Sequence, residues 1–447
     1  MPAAPSPPRD TLTNSAATAL STAVVTGAAA IVGALVAREF GRNDATDGFF
    51  AAYGVYLVLV LVATSLRVVV VPRLVRARAE GRFGEDLTRY AVALALVCAP
   101  VVAVTFLVTG FLGGLLTATS PAEATAVEAL RWLVPAAVAQ IFAGLAASAL
   151  AAWDDYFVAA SGFAAGACAG LVLILLRLDT GITSLGEGLA LNGAVSLAVP
   201  AVALWRRRLP WRLPRPLRVG DRLLEFARGI GVPLAVQGLL LIALRSAAEV
   251  GVGQQTSFSY AYLIASSVVA VTAASFSLVT VAPLTRLGLT PERIARHVAS
   301  LTWLSLLPIL AVAVVLAAAG EPLLAAALGP AFAGEAGRET GLLVLALAPW
   351  MAASAAVAIV VPLLFVAGRV RALPVVAVAT VVVHVPVDAA GRALGGIVGI
   401  ALAFALTTVL VFVALLALLT PVAPRLVLSA LARPRLREAW TYARTLR

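Results

Sequence analysis

The sequence predicts an all-α polytopic membrane protein. It expects about twelve transmembrane helices in two six-helix lobes, with both termini cytoplasmic. Three observations carry this expectation. Hydrophobic residues make up 62% of the chain and charged residues only 12%, and the mean hydropathy is +1.01. A soluble domain needs roughly 25% charged residues to cover its surface, so lipid must be the solvent for most of this chain. Twelve runs are each long and apolar enough to cross a bilayer as a helix. Finally, the arginine content of the connections alternates from loop to loop.

Residues 1–14 open with the proline-rich MPAAPSPPRD and read as a disordered cytoplasmic tail. The first lobe, residues 15–204, holds runs at 15–37, 48–71, 89–112, 127–151, 156–176 and 185–204. The first run has spanning length and belongs to the lobe rather than to a cleaved signal. Residues 205–228 form a basic linker. The second lobe, 229–420, holds runs at 229–248, 257–282, 298–319, 340–364, 371–390 and 395–419, and a basic cytoplasmic tail occupies 421–447. Pro322–Phe332 is too short to span and reads as an interfacial segment or the tail of the ninth helix.

Orientation follows from the arginines, which supply all 33 basic residues. One set of connections holds 24 of them and the other set seven, Arg38, Arg42, Arg131, Arg177, Arg245, Arg338 and Arg392. The richer side is cytoplasmic by the positive-inside rule, which explains the net charge of +11 without nucleic acid. No basic run is interleaved with stacking aromatics, so nucleic-acid binding is excluded. The linker Trp205–Arg222 is broken by prolines and suits an anionic inner leaflet, either as an interfacial anchor or as a lipid headgroup site. Against the pattern, Trp153-Asp154-Asp155-Tyr156 makes a tight acidic cytoplasmic turn.

The halves resemble one another. Val71-Pro72-Arg73-Leu74 closes the second helix and Ala282-Pro283-Leu284 the eighth, with the prolines 211 residues apart. Pro135 likewise answers Pro349, and Leu185-Gly186 answers Leu394-Gly395. Two copies of an even-numbered unit share one orientation, and such repeats place a transport site at their interface near the midplane.

No catalytic residues, metal ligands or cofactor-binding motifs emerge. Cys98 and Cys168 sit in apolar runs as small core residues. His297 falls in a basic turn and reads as solvated. His384 lies inside a helix and is either a structural hydrogen-bonding group or a proton carrier. No carboxylate is read as lying mid-helix.

The site candidates are ionisable residues in or beside spans. Arg67 precedes Pro72 by about one turn; it either snorkels to the headgroups or faces a cleft and binds an anion. Arg245 and Glu249, spaced i,i+4, can pair on one face. Arg38 and Glu39 end the first helix. Asp47, preceding Gly48-Phe49-Phe50, suits an N-cap of the second helix, the alternative being a gating or ion-coupling role. Gln140, Asn192 and Gln237 are expected to bond between helices.

Phe40-Gly41, the turn Arg42–Ala45, and Thr46-Asp47-Gly48-Phe49-Phe50-Ala51-Ala52-Tyr53 resemble the F-G-x(4)-T-D-A-F-F-x-A-F segment of the MviN/MurJ-like flippases. These belong to the multidrug/oligosaccharidyl-lipid/polysaccharide (MOP) exporter superfamily, which also holds the multidrug MATE branch. Gly231-Val232-Pro233, Tyr260-Ala261-Tyr262-Leu263 and Pro283 follow the same family's order in the second half. The resemblance implies a two-lobe transporter with alternating access, moving a lipid-linked glycan or a cell-wall or polysaccharide precursor to the outer leaflet of the inner membrane. Within that frame, Arg67 and Arg245 are the expected substrate-binding residues, and Asp47, Arg38 and Glu249 the expected gating or ion-coupling residues. Its partners would be an amphiphilic lipid-linked glycan and membrane lipids.

Three departures are plain. Where the family has arginine in its Y-A-x-R-L segment, this chain has Tyr262 or Leu263. The family's helix-1 arginine–aspartate pair would fall at Ile31 to Gly33, which carry no charge. The chain also holds no run matching the two extra C-terminal helices of lipid II flippases. An ion-coupled multidrug-type antiporter is one alternative. A transport-dead scaffold that contacts glycan-synthesis enzymes through its basic face is another.

Overall fold

The computed structural model describes residues 8–207, 219–287, 290–419 and 423–432; side chains of 8–19, 64–65, 67–69, 271–287 and several within 219–229 are not described. Among the described residues the chain is helical throughout, apart from turns and three short 3-10 segments. It divides into two compact units, Met1–Gln237 and Gly238–Arg447.

Unit 1 contains α1 (Pro8–Glu39), α2 (Asp44–Ala79), α3 (Phe83–Leu107), α4 (Thr109–Leu116), α5 (Ser120–Ala151), α6 (Tyr156–Leu176), α7 (Thr183–Arg206) and the start of α8 (Val219–Ala248). α1 thus begins upstream of the predicted run, and residues 1–7 of the predicted tail lie outside the described residues. α5 is the central post, packed on α2, α4 and α7, while α6 joins α7 and α1. α6 meets α7 closely because Gly162, Gly166 and Gly170 present bare backbone to Gly188, Asn192, Ser196 and Pro200.

The first turns of α2 and α5 are tied together. Asn43 caps α2, its side chain accepting from Thr46 N while Thr46 Oγ1 accepts from Asn43 N, which satisfies two free donors reciprocally. Thr119 caps α5 by accepting from Ala122 N and donates its own hydroxyl to Asp44 Oδ1 at 2.5 Å. The expected N-cap at Asp47 is therefore corrected: the cap is Asn43, and Asp47 sits inside the first turn, with its N–H on the Asn43 carbonyl.

The α5–α6 turn keeps Asp154 at φ 61°, with Asp155 capping α6 and pairing with Arg207, while Arg78 lies over the Trp153 ring at 4.2 Å. α8 begins at Val219, so the end of the predicted linker is helical; residues 208–218 lie outside the described residues. Its first turns join the unit 1 core, with Phe226 beside Tyr90 at 5.6 Å and Arg222 hydrogen bonded to Asp86 and Tyr90.

Unit 2 holds the rest of α8, α9 (Gln254–Leu287), α10 (Pro291–Leu328), α11 (Glu335–Ala346), α12 (Ala348–Val366), α13 (Leu373–Leu419) and α14 (Ala423–Leu431). α10 kinks at Ala319, so Pro322–Leu328 is the tail of that helix, and a 3-10 turn, Pro330–Phe332, follows. α13 carries two predicted runs as two arms, broken at Gly395 and Gly396, where φ of 54° favours glycine.

Of the two proline correspondences, one holds in both units and one does not. Pro72 lies inside α2, which continues to Ala79 rather than closing there, and α9 continues past Pro283. A proline removes one helical hydrogen bond, a loss that spanning helices absorb through neighbouring groups. Pro135 lies within unbroken α5, whereas Pro349 begins α12 just past a break at Leu347.

His297 corrects another expectation: it is buried in α10. Among the described residues, ten stretches are long and apolar enough to cross a membrane. Their outward faces carry exposed large apolar residues such as Leu107, Leu176, Val375 and Val382, a surface suited to hydrocarbon rather than water.

Candidate functional site: a buried carboxylate and imidazole in unit 2

On α13 the sequence His384-Val385-Pro386-Val387-Asp388 places His384 and Asp388 on one face, one turn apart. Both are buried, with 0% and 2% side-chain exposure, which is uncommon for a carboxylate without a cationic partner. Ser246 of α8 donates its hydroxyl to Asp388 Oδ2. His384 Nδ1 lies 2.9 Å from Thr407 Oγ1, on the second arm of α13.

Thr407 donates its single hydroxyl hydrogen to the Ala403 carbonyl at 3.0 Å. Its oxygen therefore accepts from the histidine, and the proton of a neutral ring is assigned to Nδ1. Nε2 is then the ring atom that takes up a further proton. It stands 3.9 Å from Asp388 Oδ1, with the Leu239 carbonyl also beside the ring. Phe404 packs edge-on against the imidazole at 5.9 Å and is itself stacked on Trp350 at 5.4 Å, which fixes the ring plane and excludes water.

An isolated carboxylate at this depth is costly unless it shares a proton or finds a cation. The donor set of one carboxylate, one imidazole and two hydroxyls suits a proton. Among the described residues no group of three or more His, Cys, Asp or Glu is placed to hold a metal ion.

A second, more exposed level lies next to this one, at the C-terminal end of α8 and on α13. Arg245 Nη2 is 3.0 Å from Glu249 Oε1, so the i,i+4 pair read from the sequence is present, and Arg392 of α13 pairs with the same carboxylate. Arg245 and Glu249 are thus brought together in unit 2. Arg38 and Asp47 belong to unit 1, exposed at the end of α1 and buried in the first turn of α2 respectively. Arg67 falls on α2, and its side chain lies outside the described residues. Gln140 donates to Asn192 at 3.2 Å, the interhelical bond expected of those residues.

Asp388 and Ser246 were not among the sequence candidates. The predicted helix limit at residue 390 made Asp388 look terminal, and the expectation that no carboxylate lies mid-helix is corrected. The legible signal was the i,i+4 histidine–aspartate pair within an otherwise apolar run.

Long apolar helices with hydrocarbon-facing surfaces define the chain as a multi-pass α-helical membrane protein. Its fold is similar to that of solved transporters of the MOP superfamily. No family model and no curated protein matches the chain by sequence. Its fold is similar to that of the lipid II flippase MurJ in an inward-closed conformation, with TM-score 0.73 and 14% identity, covering 94% of this chain and 91% of that one. It is also similar to an inward-facing multidrug resistance MATE family transporter, with TM-score 0.62 and 16% identity over 90% and 99% of the two chains. A third similar structure is a MOP transporter from Pyrococcus furiosus, described as having a binding pocket of reverse polarity; there the TM-score is 0.62 and the identity 15%, over 94% and 95%.

Proposed function

We propose that this chain is a proton-coupled transporter that moves a lipid-linked glycan or a related amphiphile across the cytoplasmic membrane. Twelve spans with cytoplasmic termini form two six-helix lobes that alternate between inward-open and outward-open states. The single observation that carries the coupling is the buried His384–Asp388 pair with Ser246 and Thr407. The likeness of fold to a lipid II flippase over nearly the whole chain supports the substrate class. Transport requires a ligand or proton to bind the two states with different affinity, and a buried carboxyl that exchanges its proton in only one state supplies that difference.

Arg67 and Arg245 meet the anionic part of the substrate, while Asp47, Arg38 and Glu249 act at the gates. The cationic grip on a pyrophosphate is reduced by the uncharged Ile31–Gly33 stretch. A substrate with a single phosphate or carboxylate therefore suits the chain better than lipid II. The test is a reconstituted-vesicle assay with fluorescent polyprenyl-phosphate sugars, read by quenching of the outer leaflet. Wild type should equilibrate the leaflets many times faster than protein-free vesicles, and R67A/R245A should not.

A second reading, proton-driven antiport of small organic cations, is favoured by the same Asp388. It predicts that an imposed pH gradient drives ethidium out of vesicles, with no movement of the lipid-linked sugar. If neither cargo moves, the chain is a scaffold and contacts glycan-synthesis enzymes.

A further inference from the structure

We propose that Arg392 exchanges partners between Glu249 and Asp388, so that loss of the Asp388 proton unfastens α8 from α13 at the Glu249–Arg392 ion pair. This rests on the reading of Asp388 as the proton-holding carboxyl. It adds the residue that reports the state of that carboxyl to the surface of unit 2.

The placement of the residues carries the inference. His384, Asp388 and Arg392 recur at i,i+4 along one stripe of α13, while Arg245 and Ser246 stand in the last turn of α8 and Glu249 follows in the turn just past it. Two links join the segments, Ser246 of α8 with Asp388 and Glu249, in the turn just past α8, with Arg392. Residues four apart on a helix have Cβ atoms roughly 5–6 Å apart, within reach of a flexible guanidinium. Arg392 therefore commands both carboxylates from one backbone position.

Glu249 holds two guanidinium groups at once. When Arg392 departs, Arg245 still neutralises Glu249, so the exchange strands no charge. The levels also differ in access. Side chains of Arg392 and Glu249 are 35% and 38% exposed, against 2% for Asp388, so the exposed pair is weakly held and the buried carboxylate gains more from a cation. Arg392 stands three residues before the Gly395–Gly396 break, where the end of the first arm of α13 has no continuous helix to restrain it.

The step is balanced. In the state that opens the site to solvent, Asp388 releases its proton to water, Arg392 remains a cation and moves to the new carboxylate, and Glu249 stays ionised beside Arg245. The charged and titratable groups about Asp388, among the described residues, are His384 and Arg392 on α13, Arg245 in the last turn of α8 and Glu249 just past it.

The experiment needs no substrate. Dicyclohexylcarbodiimide reacts with a neutral carboxyl in an apolar setting and not with a carboxylate paired to guanidinium. The full chain in nanodiscs would be labelled at one fixed pH, with modification of Asp388 read by peptide mass spectrometry. E249Q deprives both arginines of their acceptor and sends Arg392 to Asp388, so labelling should fall several-fold. R392Q removes the competing cation, so labelling should rise, and E249Q/R392Q should match R392Q.

If the Glu249–Arg392 pair were only a staple, the two single variants would break the same bond and shift labelling in the same direction. That result, or no shift, overturns the proposal. If E249Q does not fold, R392M decides alone: labelling must rise, and unchanged labelling overturns it. Failure of the underlying reading looks different, since Asp388 would then react in no variant at any pH, and both inferences fall.

Discussion

Gly48 follows Asp47 at the point where the first turn of α2 crosses the first turn of α5. A Cβ there would lie 2.1 Å from the Ala122 carbonyl oxygen and 3.0 Å from Thr125 Cβ. Non-bonded carbon contacts are comfortable at about 3.5–4.0 Å, so G48A obliges the two helices to part by roughly 1.5 Å. Overpacking of this kind costs about 1–3 kcal/mol. The same movement strains the Thr119–Asp44 bond, whose loss adds about 1 kcal/mol. For a unit of this size each kcal/mol is worth about 2–4 °C, which gives a fall in Tm of about 5–15 °C.

The assay is thermal unfolding in detergent followed by tryptophan fluorescence. The control is G27A in α1, where a Cβ meets nothing within 4 Å; there the gain in helix propensity leaves Tm unchanged or slightly higher. If G48A melted with G27A, the close crossing of α2 and α5 would be refuted.

Other substitutions follow from the local geometry. N43A removes the cap of α2 and should lower stability by about 0.5–2 kcal/mol, seen as a lower Tm in the same assay. D154G relieves a left-handed residue that is mainly solvent-exposed and only weakly paired with Arg78 at 3.4 Å. It should leave Tm equal or raised, while D154V lowers it, since β-branched residues resist positive φ. T407V leaves the buried Nδ1–H of His384 without an acceptor and should cost about 1–3 kcal/mol, measured by denaturant titration against T408V as a neighbouring control.

Much of the fold was legible because the bilayer constrains sequence strongly. Every spanning helix needs its own apolar run, and the predicted runs fall on helical segments of the structure, the run at 89–112 being divided between α3 and α4 at Val108. What composition does not encode is how consecutive runs join. The turn between the last two shrinks to a Gly395–Gly396 break, and the run at 340–364 is divided between α11 and α12 at Leu347.

Capping was misread for a local reason. Asp47 stood beside the apolar run and drew attention, while the reciprocal Asn43–Thr46 pair lay one turn earlier. His297 looked solvated because its neighbours Arg293 and Arg296 are basic, yet in α10 both arginines are exposed while His297 is buried. The site was the least legible part. Asp388 gains its meaning from Ser246, 142 residues away in the chain, and a contact of that range leaves no mark in a run of valines.

The role of Asp388 is tested most directly by transport in reconstituted protein with that residue changed. Leaflet exchange of a fluorescent polyprenyl-phosphate sugar, measured in vesicles with a proton gradient imposed, should be fast for wild type and should respond to the gradient's direction. D388N, which keeps the shape and the Ser246 partner while removing the titrating group, should lose the response to the gradient and most of the rate. Equal rates and equal gradient dependence in wild type and D388N would contradict the claim that this buried carboxyl couples a proton to movement of the cargo.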